Sequence, residues 1–207
     1  MDYRKFCKTL GLLTGVSAIF LTGCSVNPAT GQNQFAGLMS PQSEASIGAE
    51  QHTEVVKEYG GIYNNPALQS YVTSIGQKMA RNTERADVTY QFFLLDSPVV
   101  NAFALPGGYV YVTRGLMAVA NDEAEFAGVV GHEIGHVTGR HSAARYSQGV
   151  LASLGSGLLG AAIGNSAVSE VLNTGSNLYI SSYSRDQESE ADTLGIRYLD
   201  RAGYDPL

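Results

Sequence analysis

Residues 128–142, GVVGHEIGHVTGRHS, constrain the fold more than any other segment, because they place two histidines four residues apart in an apolar helical pattern. Side chains at positions i and i+4 of an α-helix lie about 40° apart around its axis and project together. The imidazoles of His132 and His136 can therefore present two nitrogens to one cation, and Glu133 lies on the same side. Polar groups on so apolar a helix need partners when they are buried, and a cation supplies one. The segment thus predicts a metal centre on a largely buried helix.

The order of these three residues, HExxH, is typical of zinc proteases, in which the histidines bind the metal and the glutamate does not. The pattern predicts one Zn²⁺ per chain, with His132 and His136 as ligands and Glu133 as the general base of a hydrolytic reaction. A catalytic zinc has three protein ligands and an open position, so a third ligand is expected elsewhere in the chain. A structural zinc protein is the weaker interpretation, because a structural site usually closes with four ligands.

Two further histidines are candidates for the third ligand, and neither fits. His141 gives the segment a likeness to the longer pattern HExxHxxGxxH, but in a continuous helix it lies about 180° around the axis from His132. All four methionines precede the motif, so the methionine turn that the longer pattern requires is missing. His52 is interpreted as a surface histidine without a role. The third ligand is therefore expected to be a carboxylate.

Among the carboxylates that follow the motif, one pair has a suitable spacing. Glu188 and Asp192 are four residues apart in a predicted helix, so they share one face. Glu188 can bind the metal while Asp192, one turn along, accepts a hydrogen bond from the other nitrogen of a ligand histidine. Glu190 points about 200° away from Glu188 and is predicted to be solvated.

The remaining patterns predict a mixture of helices and short strands. Ser40 followed by Pro41 is a helix start, and Asn121 is the predicted N-cap of the HExxH helix. The other helices are expected over 41–59, 66–81 and 186–201, the last with Leu194, Tyr198 and Leu199 facing inward, and strands over 88–95 and 109–113.

The N-terminus has the pattern of a signal peptide. Basic residues precede an apolar run, residues 10–21, that is short for a bilayer span. The run ends in LTGC, which resembles the bacterial lipoprotein box and implies cleavage of residues 1–23 and lipidation of Cys24. Residues 24–39 are rich in turn formers and are predicted to be a spacer between the anchor and the domain.

Residues 148–176 are rich in Gly, Ser and Ala and contain an apolar run over 150–163. The run is shorter than the roughly 20 residues of a membrane span, and three glycines weaken it further. We therefore expect a mobile or loosely helical flap.

Three segments together resemble a known family: HEIGH at 132–136, SRDQESEAD at 184–192 and NAFALPGGYVYVTRGLM at 101–117. They are similar to the gluzincin metallopeptidases that include the CAAX prenyl endoprotease, HtpX and BepA. The prenyl proteases and HtpX have several membrane spans, and no segment of this chain has a convincing span pattern. The soluble, lipoprotein-like branch of the family is therefore the better match.

The resemblance implies an α+β fold, a mostly helical zincin-like domain with a small β-sheet whose edge strand flanks the active-site helix. It also implies that Glu188 is the third zinc ligand and that Asp192 orients a histidine. An open edge strand would align an extended peptide through main-chain hydrogen bonds. The residues implied for that strand are Asn101, Ala102, Phe103 and Ala104.

The expected function is that of a zinc metalloendopeptidase acting on unfolded or misassembled envelope proteins in protein quality control. The lipoprotein pattern places it on a membrane, at the outer membrane facing the periplasm. The alternative is a non-catalytic lipoprotein that uses the peptidase fold as a chaperone-like or assembly-factor surface, and an intact Glu133 argues against it. A formal net charge of −6 argues against nucleic acid as a partner.

Two features of the expected domain stay open at this point. The oxyanion of the reaction needs a hydrogen-bond donor, and Tyr183, Arg185 or a residue beyond 207 could supply it. Members of the family usually continue beyond the point that corresponds to Leu207. The peptidase domain, residues 40–207, is therefore expected to be incomplete at its C-terminus.

Overall fold

The computed structural model describes residues 24–163 and 183–205, and for residues 153–163 it describes the backbone alone. The predicted signal peptide, residues 1–23, lies outside the described residues. The part of the chain that is described is a mixed α+β structure, as predicted, in which helices predominate. The strands are β1 Cys24–Val26, β2 Asn33–Phe35, β3 Gln91–Leu95, β4 Ala102–Leu105 and β5 Tyr109–Thr113. The helices are α1 Pro41–Glu58, α2 Pro66–Ala80, α3 Arg114–Val119, α4 Glu123–Thr138, α5 His141–Ile163 and α6 Arg185–Arg201.

Side-chain caps explain where most of these helices begin. Ser40 accepts a hydrogen bond from the backbone of Ser43 at the start of α1, and Ser184 forms a capping box with Gln187 at the start of α6. The N-cap of α4 is Asp122, so the prediction of Asn121 was wrong by one residue. Asn121 instead donates from its backbone and its side chain to Glu125, both at 2.8 Å.

The larger sheet has three strands in the order β3-β5-β4. β3 runs parallel to β5 with Leu95 opposite Thr113, and β4 runs antiparallel to β5 with Ala104 opposite Val110. β4 is therefore an edge strand, and it packs against α4, the helix that carries HExxH. The main core lies between this sheet and helices α2, α4 and α6, and it includes all three predicted inward residues of α6, namely Leu194, Tyr198 and Leu199.

Helices α4 and α6 approach each other closely because small residues line their contact. A Cβ atom at Gly135 would lie 2.8 Å from the carbonyl oxygen of Ala191, and one at Gly195 would lie 3.0 Å from the backbone nitrogen of His132. The first distance is shorter than a Cβ contact can be, and the second is tighter than most, so glycine at both positions favours this close packing. The close contact brings the acidic face of α6 to the histidines of α4.

The residues predicted to be a spacer pack onto the domain. β1 and β2 form an antiparallel hairpin, with Cys24 opposite Phe35. Ala36 and Met39 follow it and are buried against Ala143 in α5. We refer to residues 24–35 as the N-terminal hairpin.

The predicted flap is helical in its first part, since α5 continues to Ile163. The rest of it, residues 164–176, lies outside the described residues. None of the helices within 24–163 and 183–205 combines the length and the apolar character that crossing a membrane requires.

Candidate metal centre

Three potential ligands converge between α4 and α6. The Nε2 atoms of His132 and His136 are 3.0 Å apart, and Glu188 Oε2 lies 3.3 Å from the first and 3.7 Å from the second. One ligand atom from each residue falls within 4.8 Å of the other two. This places two imidazole nitrogens and one carboxylate oxygen around a single point.

The spacing of these atoms fits a zinc ion. Ligands of a tetrahedral zinc at bond lengths of about 2.0–2.1 Å lie about 3.3–3.4 Å from each other. The observed separations of 3.0, 3.3 and 3.7 Å lie on both sides of that value. A set of two histidines and one glutamate is also characteristic of catalytic zinc sites.

Hydrogen bonds leave the lone pair of His132 pointing into the site. Its Nδ1 atom is 2.8 Å from Asp192 Oδ1, and an ionised carboxylate can only accept. Nδ1 of His132 is therefore the protonated nitrogen, and its Nε2 faces His136 with a free lone pair. Asp192 thus occupies the position that the sequence predicted for it.

The close approach of the two Nε2 atoms does not come from a positively charged His136. Burial, together with the neighbouring His141 and His132, lowers the pKa of His136 to about 2, and its residue is only 3% exposed. His136 is thus a neutral imidazole, and its tautomer decides what faces His132: with the proton on Nε2 it donates to His132, and with the proton on Nδ1 it presents a second lone pair. In the second tautomer the two nitrogens can bind one metal ion.

Glu133 lies beside the ligand group without belonging to it. The residue is 8% exposed, and burial, with Glu188 nearby, raises the pKa of its carboxyl to about 8. A bound cation favours the ionised form of a neighbouring carboxyl group. Glu133 is therefore placed to exchange a proton at the site near neutral pH.

The predicted substrate strand lies close to these residues. Ala102, Phe103 and Ala104 belong to β4, and Asn101, which precedes it, donates from Nδ2 to the Tyr59 hydroxyl at 3.3 Å. The side chains of Phe103 and Ala104 are buried, so the strand offers a peptide its backbone more than its side chains. A small cavity of about 10 Å³ is lined by residues of both elements, among them Ala104 and Leu105 of the strand and His136 of α4. The predicted lipidation residue, Cys24, is exposed at the start of β1.

Helix α4 ends before His141, so the position expected for His141 in a continuous helix does not apply. The helix stops at Thr138, Gly139 is its C-cap, and Arg140 adopts a left-handed conformation with φ 57°. His141 therefore starts a new helix and turns back, so that its Nδ1 lies 2.8 Å from Nδ1 of His136. His141 is not in the group of candidate ligands, but it contacts one of them, His136.

Glu190 was predicted to be solvated, and this prediction was wrong. Its Oε1 atom accepts a hydrogen bond of 2.5 Å from Asn27 Nδ2 and lies 3.4 Å from His141 Nε2. Asn27 was not among the site residues predicted from the sequence. The only local signal was an Asx turn, in which the Asn27 side chain accepts from Ala29 at 2.9 Å, and that signal does not name a distant partner.

The interpretation of His52 as a surface residue was also wrong. His52 Nδ1 lies 2.7 Å from the Tyr111 hydroxyl, and its ring centroid is 4.5 Å from that of Phe93. Burial lowers the pKa of His52. The residue is part of the packing between α1 and the sheet.

The two named candidates for stabilising an oxyanion differ in position. The ring of Tyr183 stacks on His136 at 3.9 Å between centroids, and its hydroxyl lies 3.0 Å from Ser142 Oγ. Arg185 is exposed at the start of α6. Arg145, which the sequence analysis did not select, places its guanidinium 4.1 Å from the centre of the Tyr183 ring.

Comparison with known proteins gives relatives for most of the chain. The profile of peptidase family M48 matches residues 66–207. The putative beta-barrel assembly-enhancing protease of Vibrio cholerae is 37% identical over 153 residues, which cover 70% of this chain and 32% of that protein. The beta-barrel assembly-enhancing protease of Escherichia coli K12 is 30% identical over 181 residues, which cover 81% and 37%.

A third relative matches along most of its own length. Metalloprotease LoiP of Escherichia coli K12 is 28% identical over 215 residues, covering 96% of this chain and 82% of that protein. The chain thus spans about a third of the length of the two assembly-enhancing proteases.

Proposed function

Because the chain belongs to peptidase family M48, as its motifs indicated, we propose that it is a zinc metalloendopeptidase. Its zinc ligands are His132, His136 and Glu188. Glu133 is its general base. The observation that carries the proposal is the convergence of three ligand atoms beside a buried carboxyl group that is not among them.

The chemistry of the site follows from this arrangement. Zinc, when bound, supplies a Lewis acid that polarises a peptide carbonyl and makes a nearby water more acidic. Glu133 accepts a proton from the attacking water and then donates it to the nitrogen of the leaving amine. Asp192 keeps His132 in the tautomer that presents Nε2 to the metal.

Edge strand β4 is the proposed binding site for the substrate backbone. Residues 101–104 are at the free edge of the sheet and next to α4, so an extended peptide can pair with them while its scissile bond approaches the histidines. Main-chain pairing selects for extended conformation more than for side-chain type. This favours unfolded segments of proteins as substrates.

We further propose that the substrates are envelope proteins and that the enzyme acts in their quality control. Two of the relatives are named for enhancing the assembly of β-barrels, and the LTGC sequence before position 25 suits a lipid anchor on Cys24. In this proposal residues 1–23 are a signal peptide and the peptidase domain occupies 40–207. The anchored protein faces the periplasm from the outer membrane.

Cleavage of unfolded casein by the purified chain tests the activity. The protein is assayed as isolated, after removal of metal by a chelator, and after addition of one equivalent of Zn²⁺. We expect loss of cleavage in the chelated sample and recovery with zinc. Cleavage that survives complete removal of metal would refute a zinc enzyme. Tight zinc binding without any cleavage would favour the chaperone-like alternative.

A further inference from the structure

His132 and His136 each form a hydrogen bond through Nδ1, but with different kinds of partner. His132 has a carboxylate partner, Asp192, whereas His136 has another histidine, His141, at 2.8 Å. A carboxylate fixes the tautomer of its partner because it can only accept. An imidazole can donate or accept, so the His136 tautomer depends on what lies on the far side of His141.

Glu190 lies on the side of His141 that faces away from His136. His141 Nε2 lies 3.4 Å from Glu190 Oε1 without the geometry of a hydrogen bond, and this buried nitrogen has no hydrogen-bond partner among the described residues. If Nε2 of His141 carries the proton that faces this carboxylate, its Nδ1 must be an acceptor. His136 then donates from Nδ1, and its Nε2 keeps the lone pair that a metal needs.

Glu190 is itself held by the N-terminal hairpin. Asn27 is 3% exposed and donates from Nδ2 to Glu190 Oε1. The orientation of the Asn27 amide is fixed, because its Oδ1 accepts from the backbone nitrogens of Ala29 and Thr30 at 2.9 and 3.2 Å. The amide therefore cannot flip and offer an oxygen to the carboxylate without losing two hydrogen bonds.

Glycine at position 139 leaves room for the contact between His141 and Glu190. A Cβ atom at Gly139 would lie 2.5 Å from His141 Nε2 and 2.9 Å from Glu190 Oε1. Glycine at the end of α4 thus allows the histidine and the carboxylate to meet. Asn27 Nδ2 also lies 3.5 Å from the Gly139 carbonyl oxygen, so the hairpin covers the contact.

We propose that Asn27, Glu190 and His141 are positioning residues that act in series to fix His136 as an Nε2 ligand. We call them the His136 relay. The relay makes the affinity for zinc depend on the N-terminal hairpin, which contributes no ligand. This inference rests on the proposed metal site.

The substitution Asn27→Asp tests the relay with almost no change in shape. It keeps the Oδ1 acceptor of the turn but replaces the donor to Glu190 by a second negative charge, which pushes the two carboxylates apart. Added negative charge near a cation site would by itself strengthen zinc binding, so a weaker affinity reports the lost position of Glu190. Asn33→Asp makes the same chemical change at an exposed residue of the same hairpin and is the matched control.

The measurement is the dissociation constant for Zn²⁺, obtained by competition with a chromophoric chelator. We expect it to rise about tenfold or more in Asn27→Asp and to stay within about twofold of the parent chain in Asn33→Asp, as for other groups that orient metal ligands. Thermal unfolding of the metal-free proteins is followed in parallel. A variant that lowers metal-free stability but leaves zinc affinity unchanged would overturn the relay.

Variants of Glu190 make the same test without altering the hairpin. Glu190→Leu removes the acceptor and is expected to weaken zinc binding, whereas Glu190→Gln keeps an acceptor oxygen and is expected to restore most of it. Nitrogen chemical shifts of the imidazoles in the metal-free protein supply an independent readout. His136 should be protonated at Nδ1 in the parent chain and should populate both tautomers in Glu190→Leu.

Two outcomes would count against the inference in different ways. Equal zinc affinity and equal His136 tautomer in the parent chain and in Glu190→Leu would overturn the relay and leave the metal site standing. Failure of the parent chain to bind zinc at all would overturn the metal site and the relay together.

Discussion

At the scale of single residues, the two glutamates near the histidines have different surroundings, which support the separate roles proposed for them. Glu188 points its Oε2 atom at both imidazoles from α6, and its side chain is 45% exposed. Glu133 follows His132 directly in α4 and is buried, with no ligand atom in the group. The proposed ligand and the proposed base thus lie on two different helices, and substitutions can test the two roles separately.

Glu133→Gln is expected to abolish catalysis and to retain zinc. The amide keeps the shape of the side chain but cannot accept a proton, so cleavage of casein should fall by at least about a hundredfold. Zinc stoichiometry, measured on the same preparation, should stay at one per chain. Glu188→Gln is the comparison variant, and it should lose zinc affinity because it removes a charged ligand. Loss of zinc from Glu133→Gln, or normal zinc affinity in Glu188→Gln, would reverse the two assignments.

The pKa of Glu133 predicts that zinc uptake releases a proton. This pKa is raised to about 8 by burial and by Glu188, so at about pH 7 the metal-free carboxyl is mostly protonated, and a cation drives it to the carboxylate. We expect zinc binding near pH 7 to release close to one proton more from the parent chain than from Glu133→Gln. Titration calorimetry in buffers of different ionisation enthalpy measures this number.

The difference should shrink as the pH rises through about 8, because the carboxyl is then ionised before zinc arrives. Below that pH, the apparent zinc affinity of the parent chain should decrease with falling pH more steeply than that of Glu133→Gln. The same proton count in both proteins near pH 7 would contradict a protonated Glu133.

At the scale of helices and strands, close packing of α4 on α6 determines where the third ligand lies. Gly135→Ala would place a methyl group 2.8 Å from the carbonyl oxygen of Ala191. We expect this substitution to reduce the free energy of unfolding by about 1–3 kcal/mol, as overpacking does, and to weaken zinc binding by displacing Glu188. Urea unfolding and chelator competition measure the two effects.

Gly128→Ala on the same helix is the control for that prediction. Its Cβ would find a single neighbour, Leu199 Cδ1, at an ordinary contact distance of 3.7 Å. Replacing glycine by alanine inside a helix should then stabilise the protein by up to about 1 kcal/mol. Equal effects of the two substitutions would show that helix propensity, and not the α4–α6 contact, determines the outcome.

The same scale shows which parts of the fold could be predicted from the sequence. Local signals located α1 and α6 to within a residue or two: Ser40 followed by Pro41 marked the start of α1, and the apolar spacing of Leu194, Tyr198 and Leu199 marked α6. The break between α4 and α5 was not predicted. It depends on Arg140 in a left-handed conformation, and the Arg140 side chain is held by Glu44, 96 residues earlier in the chain.

The candidate site also contains residues that local patterns could predict and residues that depend on distant contacts. HExxH and the Glu188/Asp192 spacing are periodic patterns within single helices, so the sequence could name four residues that the structure brings together. Glu190 was misjudged because angular position on an isolated helix says nothing about a hairpin that covers it. Asn27 lies 163 residues away from Glu190, a separation at which local pattern carries no information.

At the scale of the whole molecule, the described chain has its metal position between elements from widely separated parts of the sequence. The N-terminal hairpin contacts the end of α4 and the acidic face of α6 through Asn27. The residue proposed to carry lipid, Cys24, begins the first strand of this hairpin. The proposed lipid anchor and the proposed metal site are therefore separated by only a few residues of described structure.

Cys24→Ser is expected to move the protein from the membrane fraction to the soluble fraction of cells. The side chain of Cys24 is exposed, so its replacement should leave thermal unfolding and zinc affinity of the purified protein unchanged. Fractionation followed by immunodetection measures the distribution. Association with membranes that is independent of residue 24 would remove the lipid anchor from the proposal.

The hairpin also has a geometric consequence for an anchored enzyme. A protein attached through a long, flexible linker can sample a wide volume. Here the paired strand begins at Cys24 itself. Asn27, only three residues later, already contacts Gly139 and Glu190 of the domain. With acyl chains on Cys24, the bilayer surface would lie at a short and nearly constant distance from the proposed metal site. Such an enzyme would meet polypeptides that lie along the membrane far more often than those free in the surrounding fluid. Its selectivity would then depend on the distance of a substrate from the membrane as much as on the substrate's sequence.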